Sequence, residues 1–174
     1  MNIKSWLPFD RYTLVTALKV EEVMRRLEAN VAPKPKTSLL VVQRYGQKQS
    51  PTDKPYTGTI IGQQFEIWRV INYKNSFLPM VKGEVSHFLG ETEIKVKSSP
   101  HIAVLIFSAC WMSMVLIGCL GVSFVFIKDG FEPPLLIPFA MLIFGSLLFT
   151  IPYKLEAKKA KQFLLELLES EEKI

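Results

Sequence analysis

Two long apolar stretches interrupt a chain that elsewhere alternates or is amphipathic. Residues 102–127 carry no charged side chain, and neither do residues 135–153. A bilayer core of about 30 Å is crossed by about 20 apolar residues in a helix rising about 1.5 Å per residue. The first stretch is longer than that and predicts a tilted span; the second is just long enough. Between them lies Lys128-Asp129-Gly130-Phe131-Glu132-Pro133-Pro134, whose Gly and Pro-Pro are turn-forming. The pattern therefore predicts a transmembrane helical hairpin over residues 101–153. Pro134 suits the first turn of the second helix. Pro138 predicts a mild kink, and Pro152 a kink or an end before Lys154. Small residues let helix backbones approach, so Ala109, Ser113 and Gly121 in the first helix and Ala140 and Gly145 in the second are the expected seam.

Before the hairpin, residues 1–100 read as an α+β domain. Phe9 to Val15 suits a short strand. Over residues 16–30, Val20, Val23, Met24, Leu27 and Val31 recur at three- and four-residue steps, predicting an amphipathic helix. Its other face offers the pairs Glu21–Arg25 and Glu22–Arg26, and Pro33 and Pro35 end it. Residues 39–97 read as strands: 39–45, 56–61, 64–72, 80–86 and 91–97. Gly62-Gln63 supplies one tight turn. Thr92, Ile94 and Val96 share a face apart from Glu93, Lys95 and Lys97. The expected arrangement is an antiparallel meander covered by helix. After the hairpin, residues 154–174 form a second amphipathic helix, with Ala160, Phe163, Leu164, Leu167 and Leu168 as its apolar face, expected to dock on the sheet.

Charge orients the hairpin. The loop carries Lys128 alone, whereas Lys95 and Lys97 precede the first span and Lys154, Lys158, Lys159 and Lys161 follow the second. Positive charge stays in the cytoplasm, so both termini are expected there. The net charge of +5 over 174 residues suits anionic membrane lipids better than nucleic acid, for which no basic–aromatic cluster argues. Cys110 and Cys119, nine helical residues apart, face opposite sides and do not pair.

Catalytic chemistry is sparse. His87 and His101 stand far apart, with no Cys or carboxylate at metal-ligand spacing. Thr57-Gly58-Thr59-Ile60-Ile61-Gly62 is not a phosphate loop opening a helix. No cofactor, metal or catalytic residue is expected. Arg69, on an otherwise apolar strand face, is expected to pair with Glu66, Glu84 or Glu93, or to meet a lipid phosphate. Asn75 and Ser76 form a turn before Phe77, Leu78 and Pro79. An exposed Phe-Leu-Pro apex would be a contact surface; the alternative is an aromatic folded back into the core.

The segment Asn72-Tyr73-Lys74-Asn75-Ser76-Phe77-Leu78-Pro79, followed by Gly83, Thr92-x-Ile94-x-Val96, His101 and Glu156-Ala157-Lys158-Lys159, resembles a family of small bacterial two-span membrane proteins of uncharacterised function. The likeness runs from about Tyr56 onward. Pro100 precedes His101 where that family suggests a proline after it, and Glu91 stands in place of a glycine. The resemblance implies a bacterial source and this order of parts and implies no activity; with the two spans, the bacterial inner membrane is the expected location. The expectation is a non-enzymatic membrane-anchored scaffold or accessory subunit of a membrane complex, with membrane lipids and a protein partner or a second copy as its contacts. A membrane-adjacent module binding a lipid or small ligand in a pocket of Phe65, Trp68 and Phe77 is the alternative.

Overall fold

The structure, a computed structural model, describes residues 9–33, 54–71, 75–88, 90–130 and 132–173. The strand expected over residues 39–45 lies outside them. The described chain is an α+β fold with a mixed sheet of seven strands and three helices. The strands are β1 (Asp10–Thr16), β2 (Val31–Pro33), β3 (Tyr56–Ile61), β4 (Gln64–Arg69), β5 (Met80–Phe88), β6 (Glu91–Ser99) and β7 (Glu171–Glu172). Their order is β2-β3-β4-β5-β6-β1-β7.

The run β3 to β6 is an antiparallel meander, in which Gly62 and Gly90 take φ of 56° and 90° in the tight turns. Two features depart from the expected meander. The first strand, β1, adds to the far side of β6, pairing Leu14 with Ile94. Val31-Ala32-Pro33, read as a helix terminator, is itself β2 and pairs in parallel with β3. Pro33 is tolerated there because β2 is the outermost of the described strands on that side. The helix α1 (Val20–Asn30) starts later than residue 16, since Thr16 is still strand. It makes the crossover between β1 and β2, presenting the buried Val23 and Leu27 to the sheet. On its outer face Glu22 accepts from both Arg25 (2.9 Å) and Arg26 (3.0 Å).

Alternation along the strands gives the sheet two unlike faces. Leu14, Phe65, Ile67, Val81, Val85, Ile94 and Val96 are buried on one face beneath α1 and the end of the last helix. The other face carries Glu66, Lys82, Glu84, Lys95 and Lys97 and is open among the described residues.

Two long helices follow. The helix α2 (Ile102–Asp129) is capped by His101, whose Nδ1 accepts from Ala103 N–H at 3.2 Å, so this histidine has a structural task. A 3₁₀ turn over Pro133–Leu136 then leads into α3 (Ile137–Leu167). Pro138 falls at the start of α3, where its missing N–H costs nothing, so the expected kink has no basis. Pro152 is inside the helix, which continues without a break for 31 residues. The two helices expected here are one. An interior proline costs about 3 kcal/mol; Phe149, Tyr153, Glu156, Ala157, Ala160 and Leu164 are all buried along one stripe across it. Packing of that stripe outweighs the loss.

Candidate functional site

The buried stripe of α3 meets a different kind of neighbour at each turn. Phe149 sits between two rings, Trp111 of α2 at 5.8 Å and Phe77 of the β4–β5 connection at 5.5 Å. One turn on, Tyr153 is fully buried and donates from its hydroxyl to the Ser98 carbonyl at 2.8 Å, at the end of β6. Next comes Glu156, whose side chain is 4% exposed. Its Oε2 accepts from Arg69 at the end of β4 (2.9 Å) and its Oε1 from Lys159 one turn further along α3 (2.8 Å). Beyond it, Ala160, Leu164 and Leu168 enter the core of the domain, and Phe163 stacks on Tyr56 at 4.0 Å. Thr16 Oγ1 donates to the Leu168 carbonyl at 2.7 Å and closes the helix end. The junction between hairpin and domain is thus built from rings, a phenol, a carboxylate and aliphatic groups in succession.

Electrostatics at this junction follow from burial. Both carboxylate oxygens of Glu156 are taken by cations, which a nearly buried charge requires. That arrangement holds strand and helix together; it leaves the carboxylate poorly placed to accept a proton from a substrate. Tyr56, which pairs with Arg69 across β3 and β4, has its phenol pushed up to about 12, chiefly by burial. The Arg69 charge opposes that shift and the Glu156 charge adds to it.

The expected site residues scatter. Arg69 pairs with Glu156, not with Glu66, Glu84 or Glu93 as the sequence suggested; Glu66 instead pairs with Lys82 at 3.3 Å. Asn75 Oδ1 accepts from Phe77 N–H at 2.9 Å, an Asx turn that folds the apex inward. Leu78 is 2% exposed and Pro79 is buried, so the Phe-Leu-Pro apex is not an exposed contact surface. Phe65, Trp68 and Phe77 do not share a pocket: Phe65 is buried on the covered face, Trp68 lies on the opposite face of the same strand, and Phe77 packs on Phe149.

The helix seam also differs. Gly145 is buried against Trp111 and Met112 of α2, and a Cβ there would overlap the indole. Ala109, Ser113, Gly121 and Ala140 are exposed on the outer faces, and Gly121 has no neighbour within 4 Å of where its Cβ would stand. The sequence pairing set small against small, whereas the structure seats one large ring over one glycine. Ser113 needs no seam partner, since its hydroxyl donates to the Ala109 carbonyl at 2.8 Å. Glu156 and Lys159 were not anticipated as site residues. Their signal was present: a single carboxylate at helical spacing within the stripe Tyr153, Ala157, Ala160, Leu164.

Two concavities flank these elements. One, of about 490 Å³, lies between the 75–77 turn and α3 and reaches Glu156. The other, of about 460 Å³, is a groove on the open sheet face among Gln64, Glu66, Lys82, Glu84, Lys95 and Lys97. Among the described residues no group of three or more His, Cys, Asp or Glu side chains could hold a metal ion. Compared with protein-family models, with curated proteins and with solved structures, the chain matches none.

Proposed function

We propose that this chain is a two-span integral membrane protein that holds its α+β domain rigidly against one face of the bilayer, as a non-enzymatic scaffold or accessory subunit of a membrane complex. The observation that carries this reading is α3, one helix of 31 residues whose first half is apolar and outward-facing and whose second half is core. No linker separates anchor from domain. The two apolar helices have mean hydropathies of 2.3 and 2.2, yet only 6% and 11% of those stretches are covered by the rest of the chain. A core helix of a water-soluble protein is mostly covered, so an outward-facing surface of this kind favours lipid as its surroundings. The lysines at the base of the hairpin, against Lys128 alone in the loop, favour a cytoplasmic position for both termini. For a bacterial chain, which the resemblance of the 72–79 segment implies, this is the inner membrane. The absence of a nucleophile beside a base among the motifs of the sequence, and the double pairing of Glu156, support a role without chemistry.

Carbonate extraction and labelling test this directly. With Cys110 and Cys119 replaced by alanine, Glu132→Cys is expected to react with a membrane-impermeant maleimide from outside the cell, and Thr59→Cys only after lysis. The protein is expected to stay in carbonate-washed membranes. Release by carbonate overturns the two-span reading, and the reverse labelling overturns the orientation.

A further inference from the structure

The cleft between the 75–77 turn and α3 has one polar and one apolar end. Asn75, Ser76, Lys159 and the doubly paired Glu156 carboxylate line the first; Phe77, Ile151, Pro152 and Leu155 line the second. Ile151 and Leu155 are 50% and 59% exposed, although they flank Lys154, the first charged residue after the apolar run. From residue 151 to residue 159 the helix rises about 12 Å, comparable with the passage from acyl chain through headgroup in one leaflet. The Lys159 ammonium donates one hydrogen bond to Glu156 and its side chain is 51% exposed. An ammonium carries three N–H groups, so two remain for a ligand. Glu156 holds the Lys159 ammonium at this end of the cleft.

We propose that this cleft binds an anionic glycerophospholipid. Its phosphate accepts from Lys159 and from the Ser76 hydroxyl, and an acyl chain lies along Phe77, Ile151 and Leu155. The match is one of chemistry, an amphiphile with a negative head against a cleft that offers ammonium and hydroxyl donors beside apolar side chains. The proposal rests on the two-span reading, which sets the cleft at headgroup level. Glu156 then has a second task, holding Lys159 at the mouth.

The full chain in mild detergent is titrated by native mass spectrometry with dihexanoyl phosphatidylglycerol, dihexanoyl phosphatidylcholine and inorganic phosphate. Phosphatidylglycerol is expected to bind about tenfold more tightly than phosphatidylcholine, the scale of one charge-assisted hydrogen bond, and phosphate not to saturate. Lys159→Gln is expected to abolish the preference, Lys159→Arg to keep it, and Leu155→Ser to weaken both lipids alike. Equal binding of the two lipids by the native chain, an unchanged preference in Lys159→Gln, or phosphate binding as tight as lipid binding overturns the proposal. Carbonate extraction separates the two readings. A chain released by carbonate that still prefers phosphatidylglycerol supports the cleft and sinks the two-span reading alone; a chain retained in membranes without the preference sinks the cleft alone.

Discussion

Gly83 and Phe65 face each other across β5 and β4 on the covered side of the sheet. A Cβ on Gly83 would overlap the Phe65 ring, which is 3% exposed. Gly83→Ala is therefore expected to destabilise by about 1–3 kcal/mol, the range for overpacking a closed core, read as a fall in melting temperature. A neutral or stabilising result would mean that the ring moves freely. Tyr56 gives a pH-dependent test at the same scale. Burial raises its folded-state pKa to about 12 from an ordinary value of 10.0. Below about pH 10 the phenol is neutral in both states and its contribution is intact. Between 10 and 12 the unfolded chain ionises first, so the contribution is lost as pH rises through that window. Stability followed by tyrosine absorbance and circular dichroism is expected to fall less steeply above pH 10 in Tyr56→Phe than in the native chain. Identical alkaline slopes would contradict the burial argument. Tyr12 is raised further by its own burial, so the slope is expected to diminish and not vanish.

At the scale of elements, α3 decides the architecture, and its second half is the part most open to test. Leu164 is fully buried in the domain core. Leu164→Asp places a charge among aliphatic groups and is expected to unfold the domain. Leu164→Ala is expected to cost about 2–5 kcal/mol. Unchanged melting in both variants would show that the helix face is not core. The bond between α3 and β4 has a sharper signature. Removing Arg69 alone leaves Glu156 short of one cation, so Arg69→Met is expected to cost about 2–4 kcal/mol. Arg69→Met with Glu156→Leu is expected to recover most of that, and strict additivity in the double-mutant cycle would argue against coupling. These residues also mark how far the sequence could be read. The strands from Tyr56 to Ser99 were legible because Thr92, Ile94 and Val96 alternate and Gly62 and Gly90 punctuate. The apolar helices were legible by length alone. Pro152 hid the continuity of α3, since local propensity argues for an end and only packing on both sides overrides it. The pairing of Arg69 was illegible for a related reason: 87 residues separate it from Glu156, and no local pattern reports such a contact. In the seam, composition pointed to small residues on both helices, while the contact uses the volume of Trp111, which a list of small positions cannot contain.

The whole molecule closes on itself through its last forty residues. The sheet made by β1 to β6 has a covered face of Leu14, Phe65, Ile67, Val81, Val85, Ile94 and Val96. α1 alone is 11 residues long and offers Val23 and Leu27 to that face. Further cover comes from Ala160, Leu164 and Leu168, and β7, the last of the described strands on that side, joins β1 through Leu14 and Val15. Arg26 of α1 donates to the Leu167 carbonyl at 3.1 Å and pairs with Glu169 at 2.7 Å, tying the two covering helices together. Residues 1–100 hence constitute most of a domain that lacks its lid. Each fully buried Leu of the missing helix accounts for about 1.5–3 kcal/mol of burial, against a total stability of about 5–15 kcal/mol for a domain of ordinary size. Residues 1–100 expressed alone are expected to give the collapsed amide dispersion of a chain without fixed tertiary packing, whereas co-expression with residues 132–174 is expected to restore a dispersed spectrum and to carry the first fragment into association with the second. A well-dispersed, monomeric spectrum from residues 1–100 alone would show that the domain is complete without α3. The helix would then be an attachment to a finished fold, and rigid coupling between anchor and domain would lose its structural basis.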